Sequence, residues 1–252
     1  MEFSSRLGAV AHVPRLFHPG PLGPGPLMIA GDAAKRLTAV MRAAEGDPVL
    51  LFTGDGKEWN ATAGMRSRDT VQLTVVELAR QAAPPQVVLE TWVGVLRTSR
   101  FEEALEKIVE AGADLIRPVI CEFSQRGEAS GARLERWRRI AIEASEQCGR
   151  LFVPEVLAPA PLARALDAFG GTIVVAEGSG ESSMALAPLM PQAGHLALVV
   201  GPEGGLSPTE RQTLARRGAL QLALGPYILR TETAAIVGTA ALRELTFTEH
   251  GG

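Results

Sequence analysis

The chain has 252 residues, with 46% hydrophobic and 21% charged residues and a formal net charge of −3. That is the composition of a globular protein with a core to bury, and it excludes a disordered chain or a polycationic one. No run of 18 apolar residues offers a membrane span, and the N-terminus lacks the basic start and long apolar stretch of a secretory signal, so a cytoplasmic protein is expected.

In chain order, residues 1–78 read as a small β-rich unit. PGPLGPGPL (19–27) is expected as a loop because of its Pro and Gly content. VLLFTGDGKEWNATAG (49–64) has two strand-like runs around Asp55-Gly56, a hairpin dipeptide, and VQLTVVEL (71–78) alternates as a third strand. ARQAAPPQ (79–86) reads as a linker. From 87 to 252 the pattern changes to strands alternating with helices: strand 87–95, an amphipathic helix 101–112 stopped by Gly112, strand 115–121 and helix 133–149. Apolar strands 172–177 and 195–200 follow, then helix 207–218, strand 220–224 and helix 231–245. Ser207 and Glu210 form a capping box, with Pro208 at the first helical position. This is an α/β domain with a mostly parallel sheet.

Cys121 and Cys148 lie far apart and outside any CxxC spacing, which fits a reducing compartment. The four histidines, His12, His18, His195 and His250, have no metal-ligand spacing, so no metal is expected. Basic residues are 22 Arg against 3 Lys. Arg suits bidentate phosphate contacts, though genomic base composition or heat adaptation gives the same bias.

Two segments carry chemistry. In VVGPEGGLSPTE (199–210) a buried strand runs into Gly-Pro-Glu-Gly-Gly and then a capped helix. Glycines there let a backbone approach a ligand, but taken alone such a turn is better explained by a strand–helix connection that needs positive φ. The segment is neither a GxGxxG fingerprint nor a P-loop. In LALGPYILRTETAAIVG (222–238) Thr231, Glu232 and Thr233 are candidates to cap the last helix. Arg230, a cation at the positive end of that helix, points to an anionic partner or a nearby carboxylate.

Together GPEGG (201–205) and LRTETA (229–234) resemble the RsmE family of SPOUT methyltransferases, which methylate N3 of a uridine in small-subunit (16S) ribosomal RNA. The similarity continues in RFEEALEKIVEAGADLIRPVICEFSQRGE (100–128), RLERWRRIAIEASEQCGR (133–150) and GDPVLLFTGDG (46–56), and so covers nearly the whole chain. It implies a PUA-like RNA-binding β-barrel at 1–78, a SPOUT domain with a trefoil knot at 87–252, a homodimer, and small-subunit rRNA in an assembled 30S particle as partner.

The cofactor implied by the resemblance is S-adenosylmethionine. Its contacts would come from Ala176, Glu177 and Gly178, from Gly201, Pro202, Glu203, Gly204 and Gly205, and from Leu224, Gly225, Tyr227, Ile228, Leu229, Arg230 and Thr231. Backbone groups of Leu224, Ile228 and Leu229 would meet the adenine. Tyr227, the sole tyrosine, stands where the family often has Arg, and Arg36 stands where it commonly has His. Methyl transfer to a ring nitrogen needs alignment and removal of the N3 proton, and Glu203, Arg230 and Glu232 are the candidate catalytic groups. RNA contacts are expected from Arg15, Arg36, Arg42, Arg97, Arg100, Arg126 and Arg133; residues 126–139 hold five Arg against two Glu. The competing readings are another SPOUT methyltransferase acting on ribose 2′-hydroxyls or tRNA, and a non-catalytic ribosome-assembly factor. No GxSxG elbow supports a hydrolase, and GSGESS (178–183) reads as a flexible loop.

Overall fold

The computed structural model describes residues 13–246, apart from 68, 96–97, 125–130 and 193. The chain divides into two compact units, one of residues 1–84 with 149–152, the other of 85–148 with 153–252.

The first unit is a five-stranded sheet of β1 (Arg15–Phe17), β2 (Gly25–Ala30), β3 (Pro48–Phe52), β4 (Lys57–Arg66) and β5 (Thr70–Gln81), in the order β1-β3-β4-β5-β2. The β3–β4 hairpin turns at Asp55-Gly56 as expected, with Gly54 and Gly56 at positive φ. β2 corrects the expected loop at 19–27. It begins at Gly25 and carries Pro26, and it is an edge strand, where a residue without an N–H is tolerated. β5 runs to Gln81, into the expected linker. A short helix, α1 (Gly31–Lys35), continues as one π-helical turn over Arg36–Val40. The core is aliphatic: Leu16, Ile29, Leu37, Val49, Leu51, Val71, Leu73 and Val75.

Residues 149–152 join this unit, which the sequence did not announce. Gly56 N–H donates to the Leu151 carbonyl, and Arg15 and Arg80 donate to the carbonyls of Arg150 and Gly149. The two arginines converge on buried Glu58, at 2.5 and 2.6 Å. Burial alone would raise the Glu58 carboxyl, but hydrogen bonds from Arg80 and Arg15, with their charges, outweigh it and hold the group below the ordinary carboxylate range.

The second unit is a parallel sheet of β6 (Val87–Gly94), β7 (Leu115–Ile120), β8 (Glu155–Val156), β9 (Ala160–Pro161), β10 (Thr172–Glu181), β11 (Gly194–Val200) and β12 (Leu220–Leu222). The order is β12-β10-β11-β6-β7-β8, with β9 also pairing β7, and every pair is parallel. Its helices are α2 (Thr98–Glu110), α3 (Gly131–Cys148), α4 (Leu162–Asp167), α5 (Ser183–Leu186), α6 (Pro208–Arg216) and α7 (Thr231–Thr246).

Strands covered on both faces read as continuous apolar runs. In β11, Leu196, Leu198 and Val200 pack with α2, α3 and α7, while Ala197 and Val199 face α4 and α6. α6 has both halves of its capping box, and Gly112 takes positive φ after α2. GSGESS is not a loop. β10 extends to Glu181 through a bulge, and Ser182 caps α5. After β12, at the sheet's edge, the chain returns to pack α7 against β6, β11 and α2. Among the described residues, no helix is long and apolar enough to cross a membrane.

Candidate active site

Parallel pairing aligns the strand ends. Val93 sits opposite Val200, Val199 opposite Val175, and Ala176 opposite Leu222. Adjacent strands lie about 4.8 Å apart, so the ends of β11 and β12 lie level with Ala176 of β10, which runs on to Glu181. Strand ends of this kind are where open α/β sheets bind ligands.

The turn after β11 is fixed by close packing. Gly205 N–H donates to the Pro202 carbonyl at 2.8 Å, and Gly205 has φ +74°. A Cβ on Gly94 would lie 2.4 Å from the Pro202 nitrogen, and one on Gly204 would lie 2.8 Å from Phe123 Cβ. These glycines therefore have structural reasons to be glycine before any ligand is invoked.

The turn after β12 contrasts with it. Ala223 N–H pairs with the Glu181 carbonyl, and Ala234 N–H with the Arg230 carbonyl. Between these anchors, among the described residues, Leu224 to Leu229 make no main-chain hydrogen bond. Such groups need water or a ligand. Tyr227 and Ile228 stand out into solvent at 82% and 103% exposure, while Leu224 and Leu229 pack on the core.

One bond joins the two turns. Thr231, buried at the start of α7, donates its hydroxyl to the Gly201 carbonyl at 3.0 Å. This corrects the expectation that Thr231 caps α7. The first α7 bond goes to the Arg230 carbonyl, which makes Arg230 the N-cap and frees the threonine hydroxyl to reach across. Glu232, in the first turn, complements the helix dipole. Its Oε2 is buried with no hydrogen-bond partner among the described residues.

The family model for the RNA methyltransferase domain matches residues 83–243. The chain is 30% identical to the ribosomal RNA small subunit methyltransferase E of Bacillus subtilis over 225 residues, covering 85% of this chain and 88% of that one. It is 32% identical to the Mycobacterium bovis protein of the same name over 230 residues, covering 87% and 86%.

The chain belongs to the ribosomal RNA small subunit methyltransferase E family.

Two solved structures agree. A Legionella pneumophila methyltransferase in complex with SAM superposes with a TM-score of 0.84 at 28% identity, over 92% of this chain and 97% of that one. The Neisseria gonorrhoeae methyltransferase E bound to S-adenosyl methionine gives 0.80 at 29%, over 93% and 98%.

In this family member, charged side chains frame the turns. Glu203 faces Arg100 at 3.8 Å, both partly exposed, so a catalytic candidate and an RNA candidate are neighbours. Glu177 pairs with Arg211 of α6 at 3.3 Å, beside a small cleft of about 160 Å³ lined by Val175, Ser179 and Gln221. Arg230 is exposed, and among the described residues no carboxylate pairs with it.

The RNA candidates divide. Arg15 is 6% exposed, and its guanidinium is held by Glu58, the Arg150 carbonyl and the Phe52 ring. It is a core residue, which corrects its expected role. Arg42 is exposed at φ +57°, the lone non-glycine described residue with positive φ. Arg36 and Arg133 are half-buried. Arg97 and Arg126 lie outside the described residues. The excess of Arg in 126–139 is partly neutralised, because Arg136 pairs with Glu102 and Arg138 with Glu135.

The sequence missed Arg211 and Phe123, and the second duty of Glu210. Besides closing the capping box, that carboxylate accepts the Glu122 N–H at 2.9 Å. The box was readable, but a bond spanning 88 positions has no local signature.

Proposed function

We infer that this protein transfers a methyl group from S-adenosylmethionine to small-subunit ribosomal RNA, and that its target is N3 of a uridine. The observation that carries the reading is the Thr231–Gly201 bond, because it holds together the two turns that the resemblance gives to the cofactor. The residues fit that ligand. The 224–229 backbone has uncommitted donors and acceptors for an adenine edge, and Glu232 keeps an oxygen without a partner.

S-adenosylmethionine supplies an electrophilic methyl on a sulfonium. The protein's part is alignment and proton handling. Leu224, Ile228 and Leu229 would hold the adenine by backbone, with Gly225 and Tyr227 beside it. Gly201 to Gly205 and Ala176 to Gly178 would enclose the rest. Neutral uracil carries a proton on N3 that must leave, and a carboxylate within reach can take it. Glu232 is the first candidate because its Oε2 is uncommitted. Glu203, already facing Arg100, is assigned to orienting the turn. Arg230, exposed at the N-cap, would stabilise the uracil anion or hold a phosphate.

The remaining assignments belong to the same reading. The trefoil knot is supported by β11 lying between β10 and β6, and by the return of the chain from β12 to α2. A knot-to-knot homodimer, a PUA-like RNA-binding barrel at the N-terminus presenting Arg36 and Arg42, a 30S substrate and a cytoplasmic location complete it. The test is labelled methyl transfer to small subunits lacking the modification, with nucleoside analysis. The expected product is 3-methyluridine. Label on ribose would favour the 2′-hydroxyl reading, and cofactor binding without transfer would favour an assembly factor.

A further inference from the structure

We propose that Phe123 is a fixed stacking platform for an unpaired base of the RNA, next to the cofactor turn. This rests on the rRNA methyltransferase reading and extends it to a residue that positions the substrate.

A phenylalanine that is 47% exposed is ordinary in itself. What distinguishes this one is how firmly its backbone is held. Ser124 N–H donates to the Cys121 carbonyl at 3.0 Å, and Cys121 N–H to the Ser124 hydroxyl at 2.9 Å, closing a tight turn around Phe123. Glu122 N–H donates to Glu210, whose other oxygen accepts the Ser207 N–H at 2.8 Å. The turn is thereby tied to the N-terminus of α6, the helix that follows GPEGG. Phe123 is also seated against Gly204, where a Cβ would come within 2.8 Å of its own. An aromatic side chain on an immobilised turn binds with little entropic loss.

The surroundings suit RNA. Arg100 and Glu203 lie at the same turn, and the Arg100 side chain is 43% exposed, accessible to a phosphate. The chemistry requires an unpaired base, since N3 of uracil lies on the edge used for Watson–Crick pairing. Bases freed from pairing stack on aromatic rings with little regard to sequence.

The experiment titrates wild-type protein, Phe123→Ala and Phe123→Trp, each loaded with S-adenosylmethionine, with small-subunit rRNA lacking the modification. Phe123→Ala is expected to weaken RNA binding roughly five- to a hundredfold, with cofactor affinity unchanged. Phe123→Trp is expected to keep wild-type RNA affinity, with its tryptophan emission quenched by RNA. Wild-type RNA affinity in Phe123→Ala, an equal loss of cofactor affinity, or unquenched emission in Phe123→Trp would each overturn the platform. Quenching in Phe123→Trp alongside a wild-type protein that transfers no methyl would uphold the platform while sinking the enzymatic reading.

Discussion

Replacing Thr231 with valine removes a single hydroxyl and leaves the side-chain volume nearly unchanged, so no cavity forms. The hydroxyl donates to Gly201 at 3.0 Å from a residue only 6% exposed. One such bond contributes about 1 kcal/mol net, and a fully buried acceptor left unsatisfied costs more. Gly201 is half-buried, so water partly replaces the donor, and the loss is about 1–2 kcal/mol. The bond aligns the two turns proposed to hold the cofactor. The same quantity should therefore appear in S-adenosylmethionine affinity, as a five- to thirtyfold weakening, roughly. Thr231→Ser keeps the hydroxyl and should bind like wild type. Calorimetric titration of the three proteins with S-adenosylmethionine measures this. If Thr231→Val melts at a lower temperature but binds the cofactor as tightly as wild type, the bond only supports the fold and the reasoning is wrong.

Glu232→Gln keeps size and removes the proposed base, so turnover should fall about a hundredfold or more with cofactor affinity unchanged; single-turnover assays report it, and an unaltered rate would remove Glu232 from the chemistry. Glu58 is held below its ordinary value of 4.5, so its stabilisation is fully present above that pH and is lost as pH falls through the lower folded value. Glu58→Gln should flatten the acid limb of a stability-versus-pH curve and cost about 2–4 kcal/mol at neutral pH, discounted because Arg80 is half-exposed. An unchanged acid limb would contradict the pairing. Burial, with the Glu210 charge, pushes the Cys121 thiol up to about 12, whereas Cys148 is exposed. Brief alkylation at mildly basic pH should label Cys148 alone in the native protein and both after unfolding, as mass spectrometry would show.

Local chemistry made most of the second unit legible. HLALVV reads as a buried parallel strand because both its faces are covered, and Ser207-Pro208 with Glu210 marks the start of α6 wherever the helix packs. The misreadings have physical causes. Gly25 and Pro26 looked like a loop because an edge position, which tolerates proline, is a property of the sheet and not of the segment. GSGESS looked flexible because its pairing with Leu222 runs through a bulge, with Gly180 pressed on the Gln221 backbone. Residues 149–152 join the first unit through Arg15, Arg80 and Gly56, partners some 70 or more positions away. The site itself was half legible. GPEGG and LRTETA stood out as motifs, but the hydroxyl bond that joins them and the setting of Phe123 over Gly204 arise only when distant loops meet.

Diffraction from crystals grown with S-adenosylmethionine bears most directly on the central claim. The adenine should lie along the main chain of 224–229, with the donor's sulfonium end between that segment and the 201–205 turn and the Thr231–Gly201 contact intact. Density for the cofactor at any other place on the protein, with the two turns bare, would contradict the account.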